Sequence, residues 1–86
     1  VPKRVVSSYF DLTFKEQSAC WFLVNLVKAE LQKTHQTDSF NIGINSGIAA
    51  GQTVMHCHIH IIPRYQGDIK NPRGGIRGII PKKKDY

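Results

Sequence analysis

A ten-residue segment in the second half of the chain constrains the fold most strongly. From Val54 to Pro63, side chains alternate between two faces with the period of a β-strand. One face of this predicted strand carries Met55, Cys57, Ile59 and Ile61, and the other carries His56, His58 and His60. One apolar face suits packing on a core, and the other face is left open. The sequence therefore predicts a strand that presents a row of three histidines.

A second alternating segment, Ser39 to Asn45, comes shortly before the first. Its apolar face carries Phe40, Ile42 and Ile44, and its polar face carries Asn41, Gly43 and Asn45. Residues 46–53 connect the two segments, and eight residues are too few for the crossover helix of a parallel pair. The two strands are therefore predicted to be antiparallel neighbours, with Asn45 leaving the first strand on its polar side.

A helix is predicted ahead of both strands. Thr13 and Glu16 have the spacing of a capping box, which defines its start. An apolar stripe at helical spacing consists of Cys20, Leu23, Val24, Val27 and Leu31. We expect an α+β domain, with an antiparallel sheet and one main helix packed on it. Trp21 and Phe22 widen the apolar surface; a broad core contact is favoured over a subunit interface.

Size and composition bound the class of protein. A chain of 86 residues has a thin core, so a partner subunit is expected to add stability. No stretch approaches the ~18 to 20 apolar residues of a membrane helix, and no secretory signal pattern opens the chain. A cytoplasmic location is predicted. Cys20 and Cys57 are interpreted as small apolar residues of the core rather than as a disulfide framework.

The net charge of +6 is concentrated at the carboxyl end. Residues 64–86 contain seven of the twelve basic residues and two of the six acidic ones. The run Lys82 to Lys84 is interpreted as a solvated, mobile end in preference to a nucleic-acid site, because few aromatic residues accompany it. We divide the chain into a domain at residues 1–64 and a basic extension at residues 65–86.

Three histidines on one strand face admit a metal site or phosphoryl chemistry. At ~3.3 Å per residue, His56 and His60 begin roughly 13 Å apart, so the three rings do not easily share one zinc ion. No cysteine or histidine pair with metal-site spacing supplies further ligands, and no metal is predicted. Neutral imidazole, in contrast, is nucleophilic near pH 7, and its tautomer is expected to be fixed by a backbone carbonyl.

The residues before the histidines are compatible with an anion site. Gly51 permits close backbone approach, while Gln52 and Thr53 offer an amide and a hydroxyl. Taken alone, these three residues are more typical of an ordinary turn. Their adjacency to the histidine row favours a phosphate-binding interpretation.

The segment Gly51 to Arg64 resembles the signature of the histidine triad (HIT) superfamily, in which three histidines alternate with apolar residues. The resemblance covers about residues 1–64 and implies a HIT-like fold without the family's amino-terminal strands. It implies that His58 attacks the α-phosphorus of a nucleotide, forming a nucleotidyl-histidine intermediate. His60 would contact the phosphate and His56 would orient its neighbours. Substrate-binding residues carried over from the family are Asn45, Gly51, Gln52, Thr53, Val54 and His60.

The resemblance also indicates a branch of the family. Nucleoside phosphoramidases place a histidine where this chain has Val5, which favours the dinucleoside polyphosphate hydrolases. The tail, including the segment Asn71 to Arg77, resembles a subgroup described as diadenosine tetraphosphate hydrolases. The resemblance implies a homodimer, no required cofactor, and Mg²⁺ at most as a companion of the polyphosphate. Arg73, Arg77 or Lys82 is expected to contact the distal phosphates. A nucleotide-binding protein without turnover, or a nucleic-acid-binding protein using the basic tail, remains the alternative.

Overall fold

A computed structural model describes residues 1–84. It contains one long helix, α1 (Phe14–His35), and two strands, β1 (Ser39–Gly43) and β2 (His60–Arg64). Short 3-10 helices lie at Tyr9–Asp11, Ile48–Ala50, Gly75–Ile79 and Pro81–Lys83. The predicted α+β class, with one main helix on an antiparallel sheet, is confirmed. None of the helices in the described part of the chain is long and apolar enough to cross a membrane.

The start of α1 is the one predicted. The Thr13 hydroxyl accepts a hydrogen bond from the Glu16 backbone N–H (3.1 Å), and the Glu16 carboxylate accepts one from the Thr13 N–H (2.9 Å). This reciprocal capping box satisfies two of the donors that a helix start leaves open. The helix ends at His35, and its cap residue Gln36 has a φ of 51°, in the left-handed region.

The face that α1 buries is narrower than the predicted stripe. Cys20 and Val24 are buried, but Leu23 and Val27 remain 48% and 42% exposed. The helix has 22 residues, whereas each of the two strands beneath it has five. A sheet of this width covers only part of the helix face.

The strands β1 and β2 are antiparallel, with Ser39 opposite Arg64 and Gly43 opposite His60. Directly paired residues point to the same side of a sheet. One side, here called the histidine face, carries Ser39, Asn41, Gly43, His60, Ile62 and Arg64. The other side carries Phe40, Ile42, Ile61 and Pro63 and is turned toward α1. The predicted pairing and the predicted faces of these residues are confirmed.

The predicted strand boundaries are wrong at two places. The second strand begins at His60 instead of Val54, and the first ends at Gly43, two residues before Asn45. Because β1 stops at Gly43, residues 54–59 have no ladder partner within the described chain. Cys57 instead donates its N–H to the carbonyl of Val6 (2.7 Å). His56 and His58 therefore precede the strand.

The opening segment Val1 to Arg4 is irregular. Pro2 lacks the N–H that a ladder needs, and the described sheet contains only β1 and β2. Pro2 is nevertheless buried, and its carbonyl has a partner in the site described below.

A small core holds the histidine segment in place. Leu12, Cys20 and Cys57 are buried together, with Val6, Tyr9 and Ile59 packed against them. Cys57 is only 2% exposed. Since it stands between His56 and His58, its burial anchors the backbone from which both histidines project.

The basic tail is folded as far as Lys84, so the prediction of a mobile end at Lys82 to Lys84 is wrong for these residues. The Lys84 ammonium donates to the Asn71 carbonyl (2.7 Å), and the Arg77 guanidinium donates to the Lys83 carbonyl (2.9 Å). The 3-10 helix Gly75–Ile79 contacts β1. Asp85 and Tyr86, the last residues of the predicted extension, lie outside the described residues.

Candidate active site

The ring of His58 is oriented by the backbone of its own segment. Its Nδ1 lies 2.7 Å from the carbonyl oxygen of His56. A carbonyl oxygen only accepts hydrogen bonds, so Nδ1 carries the proton and donates it. In the neutral ring the lone pair is then on Nε2. The expectation that a backbone carbonyl selects the tautomer is confirmed, and the carbonyl is that of His56.

His56 is held in the same way by the opening segment. Its Nε2 lies 2.7 Å from the carbonyl oxygen of Pro2 and must be the donor of that bond. The side chain therefore ties residues 1–6 to the histidine segment. The His56 ring contacts the opening segment, while its backbone carbonyl contacts His58, so this residue links two parts of the site.

His60 completes the site from the first position of β2. It is exposed, and its pairing with Gly43 sets its direction on the histidine face. The ring centroids of His58 and His60 are 4.8 Å apart, with the rings at 73° to each other. This distance is shorter than the roughly 6.6 Å expected of alternate residues on a regular strand. Two imidazoles are thus close enough to act on one phosphoryl group.

Cys57, between the histidines, is not a second nucleophile. Burial raises the pKa of its thiol, and the neighbouring Cys20 adds to that effect. The thiolate is the reactive form of cysteine, so a raised pKa keeps Cys57 inert. Both cysteines are free and buried, which confirms their interpretation as small apolar core residues.

The loop before the histidines is shaped by two glycines. Gly47 (φ 97°) and Gly51 (φ 94°) bracket the 3-10 helix Ile48–Ala50, and both lie in the left-handed region that side chains disfavour. Gly51 donates its N–H to the Ile48 carbonyl (2.9 Å). The loop is a defined turn rather than an open connection.

Gln52 has a different role from the predicted one. It is only 4% exposed, and its amide oxygen accepts from the Gly47 N–H (2.8 Å). Its amide nitrogen donates to the carbonyls of Ser7 (2.8 Å) and Val54 (3.1 Å). The side chain expected to offer an amide to a phosphate is therefore fully engaged in bracing the loop. Nothing in the sequence distinguishes an inward from an outward glutamine at this position.

The remaining predicted contact residues lie at the ends of this loop. Asn45 is exposed just before it, and Thr53 and Val54 are exposed just after Gln52. Among the cationic residues of the tail, Arg73 and Lys82 are exposed, whereas Arg77 is bonded to the Lys83 carbonyl. In residues 1–84, no cluster of three or more histidine, cysteine or acidic side chains has the geometry to hold a metal ion.

A cleft of about 360 Å³ lies between α1 and the histidine segment. Its lining is mostly apolar and comprises Val1, Pro2, Cys20, Leu23, Val24, Val27, Cys57, His58, Ile59 and Ile61. The cleft explains why Leu23 and Val27 are less buried than a core stripe would be. His58 thus stands at the border between an apolar cleft and the histidine face.

Comparison with known proteins places this geometry in a family. Residues 1–67 match the HIT domain family model. A bifunctional bis(5'-adenosyl)-triphosphatase/adenylylsulfatase of Arabidopsis thaliana is 42% identical over 80% of this chain and 38% of its own length. An asymmetrical bis(5'-nucleosyl)-tetraphosphatase of Schizosaccharomyces pombe is 41% identical over 79% of this chain and 37% of its own.

Solved structures also resemble this chain. The crystal structure of the NitFhit protein of Caenorhabditis elegans superposes with a TM-score of 0.76 at 42% identity, over 91% of this chain and 18% of that one. The chain therefore spans less than two fifths of the length of each of these relatives. The family-model match, the sequence identity and the shared fold agree, and this chain belongs to the HIT domain family.

Proposed function

We propose that this chain carries the catalytic histidines of a hydrolase that cleaves dinucleoside polyphosphates at the α-phosphate. The observation that carries the proposal is the His58 ring, whose Nδ1 is bonded to a carbonyl while the His60 ring lies 4.8 Å away. Two relatives at about 40% identity are named as hydrolases of dinucleoside tri- and tetraphosphates. The names of both relatives support this substrate class, and tetraphosphate is the substrate that the tail favours.

The first step forms a covalent intermediate. Nε2 of neutral His58 attacks the α-phosphorus, and a bond forms between nitrogen and phosphorus. The bond from this phosphorus to the bridging oxygen breaks, and its electron pair leaves with the nucleoside di- or triphosphate. His60, when protonated, donates to that oxygen or to a non-bridging oxygen and so stabilises the charge that develops.

The second step releases the product. A water molecule attacks the same phosphorus, the nitrogen–phosphorus bond breaks, and nucleoside monophosphate leaves. The water loses one proton to His60, which is neutral once it has given its own proton to the first leaving group. His56 acts by holding the backbone carbonyl that orients His58. No step requires a metal ion, and Mg²⁺ enters only as a counter-ion of the polyphosphate substrate.

The loop provides the surroundings of the phosphate. Thr53 and Val54 are proposed to contact the phosphate, and Asn45 the ribose or phosphate, because all three are exposed at the ends of the loop. Gly51 permits the turn, and Gln52 contributes by bracing it from inside. Bracing keeps the donors of the loop fixed before substrate arrives, which is the condition for effective electrostatic stabilisation.

A homodimer and a cytoplasmic location complete the proposal. Phe22 and Leu26, four residues apart on the side of α1 away from Cys20, are 63% and 54% exposed and form an apolar patch. A second copy of the chain is the proposed cover. The two cysteines are free, as expected in a reducing compartment.

The mechanism is tested by trapping the intermediate. Rapid mixing of the protein with diadenosine triphosphate, followed by denaturing quench and mass spectrometry, is expected to show an adenylyl group on the peptide that contains His58. His58→Asn should give no adduct and lower kcat by more than about 10³-fold, since the nucleophile is gone. His35→Asn, a histidine at the end of α1, is the matched control. An adduct that persists in His58→Asn contradicts the proposal.

A further inference from the structure

Two large apolar side chains are exposed on the histidine face beside His60. Ile62 is two residues further along β2 and therefore points to the same side of the sheet as His60. It is 49% exposed, although the strand around it is half-buried. Ile76, from the tail, is 51% exposed. We call Ile62 and Ile76 the isoleucine shelf.

The position of Ile76 follows from Gly43. A Cβ built on Gly43 would lie 3.9 Å from Cδ1 of Ile76, so the tip of Ile76 lies over β1 on the side to which Gly43 would direct a side chain. That side is the histidine face, and the partner of Gly43 in the ladder is His60. Directly opposite Cβ positions are about 4.5 to 5.5 Å apart. Ile76 therefore lies next to His60 on the β1 side.

Two glycines position the tail around Ile76. Gly75 lies close to Asn41, since a Cβ built on Gly75 would be 3.5 Å from the Asn41 amide nitrogen. Gly74 has a φ of 88°, and a Cβ at this position would collide with the backbone carbonyl of Lys84. Any other residue at position 74 would force the backbone of the tail to move. The path of the tail before Ile76 therefore requires glycine at position 74.

The shelf has the chemistry of a base-binding surface. A nucleobase is a flat group with an apolar face, and ligand sites combine such apolar walls with a few polar groups. The leaving group of a dinucleoside polyphosphate ends in a second nucleoside, linked by phosphates to the reacting phosphorus. Arg73, exposed three residues before Ile76, adds positive charge nearby for those phosphates.

We propose that the isoleucine shelf binds the second nucleoside, the one that departs with the leaving group. The inference rests on the proposed hydrolase function and deepens it, because it assigns a subsite for the part of the substrate that His58 does not attack. The shelf then selects substrates with two nucleosides over substrates with one. Loss of the shelf should shift that preference while the triad remains intact.

The test compares two adenylyl substrates that differ in the leaving group. Diadenosine triphosphate releases a nucleoside diphosphate, whereas adenylyl sulfate releases only sulfate. In Ile62→Thr and Ile76→Thr, the ratio of kcat/KM for the first substrate over the second is expected to fall about five-fold or more, as for the loss of an apolar contact. Threonine keeps the branched shape of isoleucine, which limits disturbance of the strand and tail.

Matched controls use isoleucines away from the shelf. Ile42→Thr lies on the opposite side of the same sheet, and Ile69→Thr lies in the turn after β2. Both should leave the ratio unchanged, and Ile76→Leu should retain most of it. An unchanged ratio in both shelf variants overturns the inference, as does an equal loss with both substrates.

A binding measurement separates the inference from the mechanism. In a His58→Asn background, calorimetric titration should show tighter binding of diadenosine triphosphate than of adenosine monophosphate, and Ile76→Thr should reduce that advantage. Absence of hydrolysis of either substrate by the unaltered chain would contradict the proposed function. The titration would still test the shelf in that case. Equal affinities for the two ligands would overturn the inference.

Discussion

Single side chains in the site are held by backbone carbonyls. The rings of His56 and His58 each donate to one, from Pro2 and from His56 itself. A carboxylate in that position would stabilise the imidazolium, which has no lone pair with which to attack phosphorus. A neutral carbonyl fixes the tautomer without favouring that charged form. The arrangement suits a histidine that acts as a nucleophile.

Replacing Gln52 by leucine tests its bracing role. Leucine of similar size would leave the Gly47 N–H and the carbonyls of Ser7 and Val54 without their partner. Each of these hydrogen bonds contributes about 0.5 to 1.5 kcal/mol net, so we expect the free energy of unfolding to fall by about 2 to 3 kcal/mol. Urea denaturation followed by circular dichroism measures it. Gln66→Leu, at an exposed turn, should change stability by less than about 0.5 kcal/mol.

A loss below about 0.5 kcal/mol in Gln52→Leu would contradict this role for the side chain.

Cys57 and Gln52 differ in how far the sequence predicts their burial. The alternation around Cys57 placed the thiol inside and the histidines outside, because burial follows the pattern of polarity. The inward turn of Gln52 depends on three partners, one of them 45 residues away, and no local pattern encodes such a contact.

The elements show the same division between local and distant causes. The capping box of α1 is local, spanning only Thr13 to Glu16, and the helix begins where the sequence predicts. Strand length is set by the partner instead. Residues 54–59 have the alternation of a strand, but β1 ends at Gly43 and leaves them unpaired. Pattern alone therefore predicts the faces of β2 correctly and its length incorrectly.

Stability at the start of α1 should depend on pH through Glu16. Its hydrogen bond with Arg4, together with the Thr13 backbone bond, lowers the pKa of its carboxyl to about 2. A folded-state pKa below the unfolded one of about 4.3 stabilises the fold above that value, and the contribution is lost as pH falls from about 5 to 2. Glutamine can keep the capping hydrogen bond but does not titrate.

Glu16→Gln is therefore expected to flatten the decrease in unfolding free energy between pH 6 and pH 3, measured by urea denaturation. Asp68 contributes with the same sign, since the Arg64 guanidinium holds the pKa of that carboxyl well below its usual range. The slope should thus shrink without vanishing. Glu30→Gln, on the exposed surface of α1, serves as control, and an undiminished slope in Glu16→Gln would refute the argument.

For the molecule as a whole, the exposed side of α1 is the feature with the largest consequence. The buried core contains few residues, while Phe22 and Leu26 lie in solvent on the other side of the helix. Burial of apolar area is the main favourable term in association. Because the core is small, we expect an interface between two copies to add to the stability of the fold.

Leu26→Glu tests that interface. Sedimentation velocity is expected to show a dimer for the unaltered chain and a monomer for Leu26→Glu, because the substitution places a charge in an apolar contact. Asn25→Glu adds the same charge about 100° around the helix and should remain dimeric. A monomeric unaltered chain, or a dimeric Leu26→Glu, would contradict the proposed dimer.

The tail shows how far composition can mislead at this scale. A run of three lysines near a terminus is typical of a solvated end, yet Lys84 is bonded to Asn71 and the 3-10 helix Gly75–Ile79 lies on β1. Glycines, not lysines, determine this path. Gly74 and Gly75 have positive φ angles, and the sequence of the tail alone does not predict them.

Gly74 also provides a marker that can be read in other sequences. Because a side chain at that position would strike Lys84, the path of the tail requires glycine ten residues after Arg64. Chains that keep this glycine, with an isoleucine or a similar side chain two positions later, should share a preference for substrates with two nucleosides. Chains that have lost it should have a broader choice of leaving group. Gly74, which lies outside the signature histidines, is thus expected to distinguish family members by the leaving group that they prefer.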